Sequence, residues 1–344
     1  MTAATTIRPH AEQTGDLSFN TTVARSLVHR AAVCEVFLTD AARLSDTRFA
    51  VAAQLPRTHA YFSDHLAAVR TYDPLLLLEV CRQASILIAH QYLGVPAREK
   101  FVFGTGEFAV TDRGALRIGP APAPALLLVE IIAEKRRADE LVGVTYEMQV
   151  EVGGVVAFTE TMAIQWMPGG VWDRIRERGR ADLGLHGQAF APVARATEPA
   201  AVGRAHPQNV VLGDIAHTHD GIETDVRVDQ DHPALFDHEL DHVPGMLIFE
   251  ALRQTAIVAA HEHLGLSPAR LVLEQAAVRF TRFGEFELPT RARASVVRGL
   301  SGGGAELRLA ITQEDVPIAE ADATIGIACA ARPGAAVAEA GAAA

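Results

Sequence analysis

Two long apolar stretches stand out from the mixed pattern of the chain, and each predicts a buried helix. The first begins after Asp73, a good N-cap, with Pro74 at the first helical position, and stops at Gly94. The second starts near Gly245 and stops at Gly265. Apolar side chains surround both stretches instead of forming one stripe, which is typical of helices enclosed on all sides.

Segments with the pattern of β-strands surround these helices. Four follow the first helix, at residues 101–110, 125–137, 143–152 and 155–166, and four follow the second, at residues 269–280, 291–299, 305–314 and 318–329. Shorter ones precede the helices, at residues 33–40, 48–56 and 221–230. One long helix wrapped by an antiparallel sheet is an α+β arrangement, and the pattern predicts it twice.

The two halves repeat each other in sequence. Residues 79–96 and 250–267 are identical at eight of eighteen positions without a gap, which indicates domain duplication. The stretch between the halves is rich in Ala, Pro and Gly and opens with a segment suited to a short charged helix. We therefore expect a flexible tail, a first domain, a linker, a second domain and a disordered tail, at residues 1–18, 19–168, 169–205, 206–331 and 332–344.

Composition narrows the classes of function. The chain has 344 residues, 49% of them hydrophobic, which is enough for two cores, and its formal charge of -11 argues against nucleic acid and anionic membranes as partners. Cys34, Cys81 and Cys329 are far apart and fit neither a disulfide framework nor a metal site. Without a signal segment or a membrane-spanning run, we expect a cytoplasmic protein that needs no cofactor and no metal.

A Glu-x-x-Arg-Gln pattern on each helix is the strongest chemical signal. Residues three and four apart share a helix face, so the pattern groups Glu79, Arg82 and Gln83 on one helix and Glu250, Arg253 and Gln254 on the other. One interpretation is a buried ion pair that fixes how the helices dock. The other is a cleft where the two copies meet, in which the carboxylate accepts a proton and the guanidinium holds an anion.

Other candidates lie outside this pattern. His65 and His238 each follow an Asp in a loop before the helix, where a histidine can polarise a carbonyl, take a proton, or simply bond to the loop backbone. Arg282, on a strand of the second copy, can reach the cleft or meet an acidic partner. His90 and His261 recur near the helix ends and are expected to pack or cap.

Two long strings carry a resemblance to known proteins. LVHRAAVCEVFLTD at 27–40 and FDHELDHVPGMLIFEALRQTA at 236–256, together with the tandem arrangement, resemble the A-factor biosynthesis family. The regions before both helices also look like hot-dog dehydratases and thioesterases of acyl-carrier-protein metabolism. The resemblance implies a tandem double hot-dog fold, paired as an intramolecular pseudo-dimer.

The same resemblance implies an activity. Such enzymes transfer a β-ketoacyl group from acyl carrier protein to the hydroxyl of dihydroxyacetone phosphate, which leads to a butenolide phosphate and then a γ-butyrolactone-type signal. The candidate residues fit this chemistry, and we expect catalytic roles for Glu79, Glu250, His65 and His238, and anion-binding roles for Arg82, Arg253, Gln83, Gln254 and Arg282. The second copy is favoured because its surrounding strings match best. Monomer and homodimer are both compatible with a fused pair.

Two other functions remain open at this point. The chain can be a dehydratase or thioesterase acting on acyl-ACP or acyl-CoA, or a non-catalytic regulatory protein that binds an acyl ligand. The residues after His65 and His238 do not form the His-Phe-Pro-Gly stretch of the dehydratases, which favours the transferase interpretation.

Overall fold

Both predicted central helices are present in the computed structural model, which describes residues 16–328. Helix α1 spans Pro74–Tyr92 and helix α3 spans Gly245–Leu264. The Leu75 N–H donates to Oδ1 of Asp73 at 2.9 Å, which confirms the predicted N-cap. Fifteen of the 19 residues of α1 are buried, as expected for an enclosed helix. The predicted disordered tail at residues 332–344 and Cys329 lie outside the described residues.

The strands follow the sequence pattern closely. Their bounds are β1 Leu38–Arg43, β2 Arg48–Leu55, β3 Lys100–Val110, β4 Ala123–Arg137, β5 Glu140–Val152, β6 Val155–Met167, β7 Leu212–His217, β8 Gly221–Val226, β9 Leu271–Phe280, β10 Thr290–Gly299, β11 Gly304–Gln313 and β12 Val316–Ile327. Strand β7 was not anticipated.

The strand predicted at residues 33–40 is wrong in its first half, because Val33–Glu35 forms a short 3-10 helix. The reason is the side chain of Gln83 on α1. It donates to the carbonyl of Glu35 at 2.7 Å and accepts from the N–H of Phe37 at 3.0 Å, so these backbone groups bond to the helix and not to a neighbouring strand.

All twelve strands form one antiparallel sheet in the order β1-β2-β4-β5-β6-β3-β9-β12-β11-β10-β8-β7. When each strand of the first half is replaced by its counterpart in the second half, β1 by β7 and so on, and the reverse, the same order is obtained read backwards. A pseudo-two-fold axis requires this symmetry. The halves join where β3 pairs with β9, from Thr105 opposite Arg279 to Ala109 opposite Gln275. The double hot-dog with an intramolecular pseudo-dimer is therefore confirmed.

The stretch predicted as a linker contributes structure to the second half. Helix α2, Gly169–Asp182, occupies the predicted charged segment. It is held by its Arg176, which contacts Glu285 at 2.6 Å. Further along, a 3-10 helix at Pro199–Val202 leads directly to Arg204, which binds α3. None of the helices among residues 16–328 is long and apolar enough to cross a membrane.

Candidate active site

The structure groups the predicted residues into two sites, each built from both copies. The Glu79 site consists of Arg30, Glu79, Arg82 and Gln83 from the first copy and His238 from the second. The Glu250 site consists of Arg204, Glu250, Arg253 and Gln254 from the second copy and Tyr61, His65 and Asp73 from the first. The pseudo-two-fold axis relates the two sites, because each combines a loop of one copy with the central helix of the other.

In the Glu79 site, donors surround the carboxylate completely. Arg30 donates to Oε1 from Nε at 3.1 Å, and its Nη2 lies 2.5 Å from the same oxygen. Arg82 donates from Nε to Oε2 and from Nη2 to Oε1, both at 2.8 Å. Gln83 donates to Oε1 at 2.7 Å. The carboxylate side chain itself is fully buried.

The Glu250 site repeats this arrangement with one addition. Arg204 approaches Oε1 of Glu250 with Nε at 3.1 Å and Nη2 at 2.9 Å. Arg253 and Gln254 donate to the same carboxylate. The extra donor is the hydroxyl of Tyr61, 2.7 Å from Oε2, which comes from the other copy.

Both carboxylates are held in the ionised form. Burial alone would raise the pKa of Glu79, but the charges of Arg30 and Arg82 outweigh burial and lower that pKa to about 2. The same competition, with Arg204 and Arg253, lowers the pKa of Glu250. A carboxylate saturated by arginines is a weak proton acceptor. The geometry therefore favours the interpretation of Glu79 and Glu250 as anchors that orient the arginines.

The two glutamines are committed to the fold as well. Gln83 joins Glu79 to the backbone of Glu35 and Phe37, and Gln254 in the same way donates to the carbonyl of Asn209 at 2.7 Å and accepts from the N–H of Val211 at 3.0 Å. Both glutamine side chains are buried with their amide groups bonded.

The pKa of the histidine in each site is lowered, so both imidazoles are neutral at pH 7. Burial, followed by the charges of Arg30 and Arg82, lowers the pKa of His238. Burial also outweighs the attraction of Asp73 and lowers the pKa of His65 to about 4. The two side chains keep 36% and 25% of their surface exposed, so neutral imidazoles face the solvent side of each site. A neutral imidazole is able to accept a proton at neutral pH.

One aspartate in each loop binds backbone N–H groups of the opposite copy. Asp64 accepts from the backbone N–H groups of Ala205 and His206 at 3.0 and 3.2 Å. Asp237 accepts reciprocally from those of Ala31 and Ala32 at 2.6 and 2.9 Å. Because Arg30 and Arg204 adjoin these contacts, the aspartates position the arginine and the histidine of each site together.

A small cavity opens at the Glu250 site. It has a volume of about 30 Å³, with His65, Asp73, Arg204 and Arg253 on its polar side. Its remaining wall is mostly apolar and includes Leu66, Val202, Ile257, Leu271, Val272 and Leu273. The cavity therefore brings the polar groups of this site next to an apolar wall.

Some candidates lie apart from both sites. Arg282 is exposed, and nothing in residues 16–328 joins its side chain to either site by a hydrogen bond or an ion pair. His90 and His261 donate from Nδ1 to the carbonyls of Val95 and Leu266, at 2.7 and 2.9 Å, which confirms their capping role. In the described part of the chain, no group of three or more His, Cys, Asp or Glu side chains is arranged to hold a metal ion.

Sequence reasoning missed Arg30 and Arg204, although a signal was available. Extending the alignment of the two copies upstream sets Val28-His29-Arg30-Ala31 against Val202-Gly203-Arg204-Ala205. In both, the arginine follows the end of a 3-10 helix whose C-cap residue, His29 or Gly203, has a left-handed backbone conformation. Tyr61 has no equivalent donor in the second copy, so no repeat in the sequence marks it.

The fold and the paired sites define a double hot-dog protein with two related sites at the ends of an internal interface. The family described as the A-factor biosynthesis hotdog domain matches residues 11–168 and 186–328, and the chain belongs to this family. The second match starts inside the stretch that we predicted as a linker, as does the structure that leads to Arg204.

Relatives that share one name match most of the chain. The chain is 35% identical over 300 residues to the 2-oxo-3-(phosphooxy)propyl 3-oxoalkanoate synthase of Streptomyces virginiae, covering 86% of this chain and 95% of that protein. It is 31% identical over 291 residues to the synthase of the same name from Streptomyces coelicolor, covering 83% and 86%. Among solved structures, the 12:0-ACP thioesterase from Umbellularia californica is 12% identical with a TM-score of 0.49, covering 81% and 94%.

Proposed function

We propose that the protein is an acyltransferase that moves a 3-oxoacyl group from acyl carrier protein to the hydroxyl of dihydroxyacetone phosphate. The product is the 2-oxo-3-(phosphooxy)propyl 3-oxoalkanoate for which its relatives are named. This ester then leads to a butenolide phosphate in the synthesis of a γ-butyrolactone-type signal.

One observation carries the proposal. At each end of the interface, a neutral histidine from one copy lies beside a fixed arginine from the other, as His238 does with Arg82 and His65 with Arg253. The reaction needs these two functions: a base for the acceptor hydroxyl and a cation for its phosphate. Fused copies hold both in one place without a second chain.

The histidine takes up the proton of the acceptor hydroxyl and returns it to the leaving thiolate. The acceptor hydroxyl gives its proton to the imidazole as its oxygen attacks the thioester carbonyl. The tetrahedral intermediate then expels the carrier thiolate, which takes the proton from the imidazolium. One C–S bond breaks, one C–O bond forms, and the histidine returns to its neutral state.

Each anchoring carboxylate has a defined part in this scheme. Glu79 and Glu250 fix the guanidinium groups in advance, so little conformational entropy is lost when the phosphate arrives. Each carboxylate also offsets part of the positive charge of the two arginines that it contacts. Neither carboxylate has to take up a proton.

The test is a product analysis of the full chain. Mass spectrometry of reactions with a panel of 3-oxoacyl carrier proteins should show the phosphorylated ester only when dihydroxyacetone phosphate is present. Free 3-oxo acid formed at the same rate without the acceptor would instead identify a thioesterase. Tight binding of acyl ligands with no turnover would identify a regulatory protein.

Histidine variants connect the reaction to the sites. The double substitution His65→Gln with His238→Gln should abolish ester formation, because neither site then has a loop imidazole from the opposite copy to accept the proton of the acceptor hydroxyl. His217→Gln is the matched control, since His217 is exposed on β7 away from both sites. Ester formation at the wild-type rate in the double variant would contradict the proposed base.

A further inference from the structure

The arginines of the two sites differ in what they have left to offer a ligand. Arg82 donates from Nε and Nη2 to Glu79. Its Nη1 has no protein partner within residues 16–328, and its side chain is 14% exposed. Arg253 donates from Nη2 to Glu250 and from Nη1 to Asp73 at 2.7 Å, and its side chain is only 6% exposed. Arg82 therefore retains a free donor on a partly exposed side chain, whereas Arg253 is held between two carboxylates and its remaining donor, Nε, is buried.

Asp73 causes this difference. As the N-cap of α1 it accepts from Leu75 through Oδ1, which leaves Oδ2 to point at Arg253 and to lie 3.5 Å from Nε2 of His65. The residue in the same place on α3 is Pro244, which has no side-chain acceptor. The carboxylate of Asp73 therefore lies beside Arg253. At the corresponding N-cap position near Arg82, Pro244 provides no carboxylate.

The neighbourhood of Arg82 is also the more cationic one. Burial, and after it the charges of neighbouring groups that include Arg82 and Lys100, together lower the pKa of His29 to about 4. For His238 in the same site, Asp237 is the anion that opposes the arginines, whereas for His65 in the other site both Asp73 and Glu250 oppose them. A dianionic ligand is attracted to the first environment and repelled by the carboxylate that already occupies the second.

We infer that the phosphate of the acceptor binds at Arg82 in the Glu79 site, and that Asp73 closes the Glu250 site to it. This assignment rests on the proposed acyl transfer and specifies which end of the interface carries it out. His238 then serves as the base. His29 adds a second imidazole beside Arg82 where the other copy has Gly203, and Asp73 is the residue that makes two related sites unequal.

Direct binding of dihydroxyacetone phosphate tests the assignment without relying on turnover. Isothermal titration of the full chain should give one site per chain. Arg82→Met should weaken binding about 10- to 100-fold, the usual range for loss of a charge-assisted contact. Arg82→Lys keeps the charge and should recover part of the loss. Arg308→Met is the matched control, because Arg308 is exposed on β11, far along the sheet from the sites.

Asp73→Asn tests the other half of the inference. Asparagine caps a helix as well as aspartate, so α1 should remain intact while the negative charge beside Arg253 is removed. The variant should bind a second molecule of dihydroxyacetone phosphate per chain. A stoichiometry that stays at one would overturn the role given to Asp73.

The two hypotheses fail in different ways. Wild-type affinity in Arg82→Met, together with normal ester formation, would refute the site assignment and leave the transferase intact. Arg82-dependent binding of the phosphate without any ester product would refute the transfer reaction and leave the binding site standing. An equal loss of affinity in the Met and Lys variants, with lowered thermal stability in both, would show that Arg82 is structural and overturn the assignment.

Discussion

The buried carboxyl of Glu160 gives a quantitative prediction of how the free energy of unfolding changes with pH. Its side chain is only 1% exposed on β6, and neither carboxyl oxygen has a full hydrogen bond to any described residue. Burial, together with the nearby charge of Glu79, raises the pKa of this carboxyl from 4.5 to about 8 despite the neighbouring thiol of Cys81. The folded protein therefore keeps Glu160 protonated at pH 7, where the unfolded chain ionises it.

The free-energy cost follows from this pKa. Holding the carboxyl protonated at pH 7, about 2.5 pH units above its ordinary pKa, destabilises the fold by about 3 kcal/mol, since each unit is worth about 1.4 kcal/mol. The folded state binds a proton that the unfolded state releases between pH 4.5 and 8. Stability from this group therefore falls as the pH rises through that window and levels off above it.

Glu160→Gln removes the ionisation and should remove the pH dependence. We expect the variant to match the wild type near pH 4.5 and to exceed its free energy of unfolding by about 3 kcal/mol at pH 7. Urea unfolding followed by circular dichroism at several values between pH 5 and 9 measures the difference. Glu107→Gln, at an exposed position on the adjacent strand β3, is the control. A difference between Glu160→Gln and wild type that does not change with pH would refute the reasoning.

Three further predictions concern the sites and the interface. The rate of transfer should hold as the pH falls through 6.5 and drop only at lower pH, because the lowered pKa of His238 keeps its imidazole neutral; a kcat profile with its midpoint at or above 6.5 would contradict this. Glu79→Gln should cost about 3–5 kcal/mol in urea unfolding, because it leaves the buried Arg30 and the partly buried Arg82 without their counter-charge; a loss below about 1 kcal/mol would show that the charge is not needed. Asp64→Ala should cost about 2–4 kcal/mol, because donors from Ala205, His206 and Asn209 lose their acceptor, and Asp46→Ala on the exposed surface should change little by the same measurement.

The helices and most strands were predictable because their signals are local. Asp73 with Pro74 starts α1 and Gly265 ends α3, and period-two alternation gives strands such as β6. The repeat of Glu-x-x-Arg-Gln then indicated two copies. These features depend on neighbours a few positions away, which the sequence displays directly.

The site itself depends on contacts between distant parts of the chain. Arg30 is 49 positions from Glu79, and Tyr61 is 189 positions from its partner Glu250. Nothing local marks either residue as polar and buried. The sequence left open, for the same reason, whether Glu79 and Glu250 act as bases or as anchors for arginines. That choice depends on how many arginines contact each carboxylate, which the helix sequence does not show.

Duplication within one chain explains why anchors that are the same in both copies coexist with unequal surroundings. A symmetric homodimer has to present the same residues at both ends of its interface, because a single sequence builds both. In a fused pair, the Glu-x-x-Arg-Gln anchors are constrained in both copies, since removing either partner leaves a buried charge uncompensated. The residues around them are free to differ, as Asp73 does from Pro244 and His29 from Gly203. The asymmetry that decides where a phosphate binds is therefore located beside the repeated motif, in positions that the two copies do not share.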